Sequence, residues 1–133
     1  MSLFRKKPPV VLPPTFKIIE ELPNIRIIRL KGVIGAQEVV EITGFISVFR
    51  AQKDFRFKNL LMDFKDVTYA DSSAVARLIQ TLSDYKKAHH RMAVIHIQPE
   101  VYNLLEIVKV NTLFHFYPEE VEALQDLETH SCE

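Results

Sequence analysis

Two adjacent serines behind an aspartate, Asp71-Ser72-Ser73, are the residues of this chain whose type and position best suit chemistry. They follow a short apolar run, Asn59-Leu60-Leu61-Met62-Asp63-Phe64, and open a segment with helical spacing. In open α/β sheets, ligands and partners gather at the carboxyl ends of strands. A serine hydroxyl at such an end, where a helix begins, meets unpaired backbone N–H groups and a partial positive charge. A phosphate on it would be accommodated by those donors and would add roughly −1.5 to −2 charges to the surface. The competing reading is local. Asp and Ser are preferred N-caps, so Asp71 or Ser72 would only hold the first helical turn. No Glu follows either serine at the third position, so no capping box strengthens that reading.

Other reactive types are less well placed. His89-His90 are neighbours whose imidazoles point apart, so they read as a solvated helix end rather than metal ligands. His96 reads as a core or edge residue in mid-strand. His115 should lie opposite Phe114 and Phe116. Asp63 and Asp66 are a possible acid pair, but solvent contact or loop hydrogen bonding suits them better than catalysis. Cys132 is the single cysteine, with only His130 beside it, and is a poor nucleophile. The three glycines make no phosphate-cradling loop or dinucleotide fingerprint, and there is no G-x-S-x-G elbow. Phe55 and Phe57 among Lys53, Arg56 and Lys58 faintly suggest an RNA-stacking ribbon, but packing at the edge of the core is the better reading. No catalytic residue, metal site or cofactor is expected, and an enzyme is the weakest hypothesis.

The elements that must position the serines can be read from periodicity. Phe16–Glu21 and Ile25–Leu30 form a hairpin around Leu22-Pro23-Asn24. Val39, Ile42, Ile46 and Phe49 recur at helical spacing over 36–51, against the β-branched residues and Gly44 that oppose a helix. The run 59–64 reads as a central strand buried on both faces. Residues 72–88 are the clearest helix, with a stripe of Val75, Leu78, Ile79, Leu82 and Tyr85. Met92–Ile97 is a strand, Pro99 opens a helix, 113–117 is a short strand, and Pro118 precedes a last helix with an acidic first turn. The order β-β-α-β-α-β-α-β-α predicts an α/β fold: a mixed, mostly parallel sheet with about four helices packed against it. The 133 residues suit one domain over 15–128, after a Pro-rich extended leader at 1–14 and before a fraying tail at 129–133.

Composition narrows the partners. Lys plus Arg and Asp plus Glu are 17 each, which lacks the basic excess of a nucleic-acid binder. The cluster Arg5-Lys6-Lys7 is too small for stable lipid attachment. No apolar run approaches a membrane span, and the N-terminus has no apolar signal region. One cysteine permits no internal disulfide, which suits a reducing, cytoplasmic setting.

The run from Leu60 to Ser73 resembles the signature of STAS domains, the anti-sigma-factor-antagonist family: a hydrophobic strand, an Asp, a V-x-x-x-D-S-S loop and a helix. Arg91–Ile97, Pro99-Glu100-Val101, Leu104-Leu105 and Leu113-Phe114 resemble the family's next strand and helix, so the similarity spans about 16–127. The resemblance implies a bacterial, non-catalytic regulatory module that binds proteins. In such antagonists the serine after the loop Asp is phosphorylated by an anti-sigma serine kinase and restored by a PP2C-type phosphatase. Ser72 matches the phospho-acceptor, Asp71 the preceding Asp and Ser73 the second serine. The neighbouring helix surface at Arg77, Thr81 and Asp84, expected to be exposed, would complete the partner face. The alternative is a phosphorylation-independent scaffold or accessory subunit of a stress-signalling complex or of a lipid or anion transporter. Two features depart from the family: Ala74 stands where glycine is usual, and Ala88-His89-His90-Arg91 replaces a Gly-rich turn.

Overall fold

The computed structural model describes residues 12–129. Strands β1 (Phe16–Glu21) and β2 (Ile25–Ile34) pair antiparallel. β2 then pairs in parallel with β3 (Asn59–Ala70), β3 with β4 (Met92–Ile95), and β4 with β5 (His115–Tyr117). The spatial order of the sheet is the chain order. Helices α1 (Ala36–Arg50), α2 (Ser72–Lys87) and α3 (Pro99–Ile107) make the three crossovers, and α4 (Glu120–Thr129) follows β5. This is the expected α/β architecture, a mixed and mostly parallel sheet with four helices.

Alternation along the central strands divides the core in two. Leu60, Met62 and Phe64 of β3 face α1, α2 and α3, where they join Ile28, Leu30, Ile42, Val75, Leu78, Val101 and Leu105. Leu61 and Ile25, Ile27, Ala93 and Ile95 face the other way, onto Ala123 and Leu127 of α4. Three same-hand crossovers between neighbouring strands place their helices on one side, which leaves the other side to α4 alone.

Several boundaries differ from expectation. β3 does not end at Phe64 but runs to Ala70, paired throughout with β2. Two register shifts in that pairing, between Arg29 and Lys31 and between Gly32 and Val33, each give β3 one extra residue. They keep Phe64, Val67 and Ala70, spaced by three, on the same buried side. Gly32 has φ of +79° at the bulge, a conformation that suits glycine. β4 stops at Ile95, because His96 has φ of 58°. Residues Asn111–Leu113 form a 3₁₀ turn, so the last strand starts at His115 rather than Leu113. The helix over 36–51 is present despite Gly44, with Glu38 accepting from the Gly35 N–H at 2.9 Å.

Ring contacts explain Phe55 and Phe57. Centroid distances of 5.0 Å for Phe16–Phe45, 5.7 Å for Phe45–Phe49 and 5.5 Å for Phe49–Phe55 carry the packing along α1. Phe55 meets Phe57 at 5.3 Å, and Phe57 meets Tyr85 of α2 at 5.2 Å. These rings close the edge of the core before β3. Leu12 of the expected leader also packs on the core. Residues 1–11, with the Arg5-Lys6-Lys7 cluster, and 130–133, with Cys132, lie outside the described residues.

Asn59, 1% exposed, ties the starts of β3 and β4 to the end of α4. Its Nδ2 donates to the Leu127 carbonyl at 2.7 Å, and its Oδ1 accepts from the Arg91 N–H at 2.9 Å. Apolar burial at this site would gain less than the stranded backbone groups lose. Asn59→Leu should therefore destabilise the domain by about 2–3 kcal/mol in urea unfolding. Equal stability would mean that Leu127 and Arg91 are satisfied without it.

Candidate functional site

The Asp71-Ser72-Ser73 segment sits at the end of the β2–β3 ribbon, where Ala70 is buried and the chain turns into α2. The Asp71 N–H donates to the Ile34 carbonyl at 3.2 Å, so the last residue of β2 holds the turn from behind. Asp71 is the N-cap of α2, in extended conformation. Its Oδ1 accepts from the Ser73 N–H at 2.9 Å and the Ala74 N–H at 3.2 Å. Ser72 is the first helical residue and is exposed, while Ser73 is half-buried. The two readings of the sequence thus separate by residue: Asp71 is the cap, and Ser72 is left with its hydroxyl at the surface. The cap also changes the electrostatics expected of the site. Two donors assigned to a phosphate already serve the Asp71 carboxylate.

A second helix start lies alongside. A Cβ added to Gly35, the N-cap of α1, would meet Asp71 Oδ2 and Glu38 Oε1, each at 3.3 Å. Glycine here permits the two helix N-termini and two carboxylates to crowd together. Ala74, which departs from the glycine usual in the resembled family, is 4% exposed, and its methyl belongs to the core.

Arg77, Thr81 and Asp84 are not the exposed face that was expected. Thr81 is buried, and its hydroxyl donates to the Arg77 carbonyl at 2.9 Å. Arg77 is half-buried and donates to Thr43 of α1 at 3.5 Å. Asp84 pairs with Arg50 of α1 at 3.0 Å and accepts from Gln80 at 2.9 Å. The physical reason is α1: it lies against this side of α2, so the three residues line the seam between helices.

The sequence reading missed an ionic cluster on the α4 side of the sheet. Arg29 of β2 donates to Glu20 at 2.8 Å, to Asp63 at 2.7 Å, and to both oxygens of Glu120 at 2.9 and 3.1 Å. Of the two alternatives expected for Asp63, solvent contact does not hold, since it is buried, whereas it does accept a local hydrogen bond from the Lys65 N–H at 2.9 Å, and it also meets His96 Nδ1 at 3.1 Å. His96 itself lies just past β4, half-buried, rather than in mid-strand. Burial alone would raise the Asp63 pKa, but the Lys65 N–H, Arg29 and His96 together hold it below the ordinary carboxylate value. The Glu120 carboxylate, against some opposition from burial, strengthens the hold of Arg29 on its proton. Asp66 instead forms a surface pair with Lys17 at 2.6 Å. Only an alternation of Arg29, Asp63 and the core residues around them, read against an assumed register, could have exposed this cluster.

Among the described residues, no group of three or more His, Cys, Asp and Glu is arranged to hold a metal ion. No helix among them is long and apolar enough to cross a membrane. The cavity between the sheet and helices α1 and α2, about 60 Å³, is lined mainly by apolar side chains such as Ile28, Leu30, Phe64 and Leu78.

Removing the Asp63 charge tests the cluster. Asp63→Asn should cost about 1.5–3 kcal/mol at neutral pH, because it removes the charge that faces the Arg29 guanidinium. The folded pKa is depressed, so this stabilisation is present above the unfolded value and is lost as pH falls through the folded one. The difference between wild type and variant in urea unfolding should shrink below about pH 4. A gap unchanged at acid pH would mean that Asp63 acts by shape alone.

The STAS domain family model matches residues 17–123. No curated protein sequence matches the chain. Among solved structures, a putative anti-sigma factor antagonist from Thermotoga maritima superimposes with a TM-score of 0.74 at 13% identity, over 84% of this chain and 93% of that one. SpoIIAA, a Bacillus cell fate determinant in its phosphorylated form, gives 0.61 at 19% identity, over 84% and 97%. The murine Solute Carrier 26 family member A9 anion transporter gives 0.67 at 16% identity over 83% of this chain, but only 18% of the transporter is covered. At these identities the structures share the fold, and the family match extends through both β3 and the Asp71-Ser72-Ser73 junction. The chain is a member of the STAS domain family.

Proposed function

We propose that this domain is a non-catalytic regulatory module that binds a protein partner and is switched by reversible phosphorylation of Ser72. The observation that carries the reading is the exposure of Ser72 on a junction fixed from both sides, by the Asp71 cap and by the Ile34 carbonyl. A kinase can reach the hydroxyl without unfolding the helix. Among the described residues, the phosphate would stand beside the Asp71 carboxylate, which Glu38 crowds across Gly35. It would therefore project outward and act on the partner, adding charge where the partner docks. An anti-sigma serine kinase and a PP2C-type phosphatase, acting in the cytoplasm, are the partners this scheme requires. The SpoIIAA structure in its phosphorylated form supports it by analogy of fold.

The likeness to the domain of the anion transporter favours a second reading. There the module would serve as an accessory subunit or scaffold and would need no modification at Ser72.

Incubation with an anti-sigma serine kinase and ATP, followed by phosphopeptide mapping, should place a single phosphate on Ser72 and none on Ser72→Ala. Ser72→Ala should bind the kinase as wild type does. Ser72→Asp should bind it at least about tenfold more weakly, the effect of one like-charge contact at an interface. Modification at another residue, or equal affinity for all three proteins, would leave the accessory reading.

A further inference from the structure

α4 covers only part of its side of the sheet. Ala123 and Leu127 pack on Ile25, Ile27, Leu61, Ala93 and Ile95, and the helix begins at Glu120, over Arg29. Beyond Arg29, no helix among the described residues lies on the same side. Leu30 and Ile34 point into the α1–α2 core, so Lys31 and Val33 point to the α4 side. Tyr69 is the register partner of Val33, and Lys65 follows the inward Phe64, which puts both on that side too. Ile18 of β1 lies there as well, between the inward Ile19 and the bulge.

This open half is apolar and, with Asp66 (the register partner of Lys31) already paired to Lys17, basic in its remaining charges. Ile18 is 43% exposed, Val33 50% and Tyr69 55%. The ammonium groups of Lys31 and Lys65 are exposed and have no ion pair among the described residues. The covered half is apolar and acidic at its surface. Val121 of α4 is 64% exposed, and the exposed Glu119 and Glu122 beside it have no ion pair among the described residues.

One face therefore carries two halves of opposite charge, each with exposed apolar side chains. A two-fold rotation brings the acidic half of one copy onto the basic half of another, twice, which is the self-complementarity an isologous contact needs. The zero formal net charge of the chain adds no long-range repulsion between copies. An anionic membrane fits less well, because α4 stands proud of the sheet and would present Glu119 and Glu122 to the lipid.

We propose that the chain forms a two-fold symmetric dimer through this face, with α4 of each copy seated on the open half of the partner's sheet. The proposal does not depend on phosphorylation of Ser72. Light scattering on the full chain at low salt should show twice the 15.4 kDa mass as concentration rises. Lys31→Glu with Lys65→Glu, or Glu119→Lys with Glu122→Lys, should each weaken self-association at least about tenfold, by setting like charges against each other. An equimolar mixture of the two double variants should associate again, since one then has two acidic halves and the other two basic ones. Recovery on mixing separates this contact from misfolding of either variant. A monomer at high concentration in low salt would overturn the proposal, as would a dimer indifferent to the charge reversals. Lysine-dependent sedimentation of the monomer with phosphatidylserine vesicles would overturn it in favour of a lipid surface.

Discussion

Past Asp63, β3 has lost its neighbour on one edge, because β4 ends at Ile95 opposite it. The backbone groups that β4 no longer pairs must be satisfied in other ways. The Lys65 N–H goes to the Asp63 carboxylate, and the Lys65 carbonyl accepts from the Gln98 side chain at 2.8 Å. On its other edge β3 remains paired with β2 as far as Ala70, across two bulges. That pairing continues the strand beyond the width of the sheet and delivers the chain to α2 at a defined point. Without it, Asp71 would have no Ile34 carbonyl to bind and the helix start would hang on a loop.

Arg29 holds the α4 side of the same strands. One guanidinium joins β1, β2, β3 and the first turn of α4, and His96 extends the cluster to the β4–α3 connection. Such partly buried ion pairs add modestly to net stability, since desolvation offsets much of the attraction. Their larger effect is on alignment. A one-residue slip of β2 against β3 would turn Arg29 into the apolar core and leave Asp63 buried without its counter-charge, at several kcal/mol. The cluster therefore selects the register on which the bulges, and so the position of Ser72, depend.

Most of the architecture was legible because it rests on local patterns. The stripe from Val75 to Tyr85 has helical period, Leu60–Phe64 is a doubly buried run, and Pro99 and the acidic turn at Glu119-Glu120 mark helix starts. The second half of β3 was hidden because its bulges replace a period of two with spacings of three, Phe64 to Val67 to Ala70. That pattern reads as neither strand nor helix. At the site, the Asp-Ser-Ser run located the junction. It could not say which residue would cap, since that depends on the chain direction at Ala70. The seam at Arg77, Thr81 and Asp84 was misread as surface because polar residues were assumed to face water. In fact, Thr43 and Arg50 of α1 meet them. The Arg29 cluster joins residues 20, 29, 63, 96 and 120, and only the folded sheet brings these distant positions together.

The rigidity of the Ser72 junction bears on how a switch there would work. A phosphate can act by reshaping its own domain or by altering the surface shown to others. Reshaping needs a cation to recruit or a loosely held segment to order. Among the described residues, the charged groups crowded at this junction are the carboxylates of Glu38 and Asp71, and the α2 start is already capped and tied to β2. Moving it would mean giving up the Asp71 hydrogen bonds and disturbing the buried Ala70 and Ala74 on either side. A dianion added to such a support changes the electrostatic face of the domain and leaves the fold in place. The free energy of a switch built this way is then set by the partner's surface, through the charge and shape it brings against Ser72.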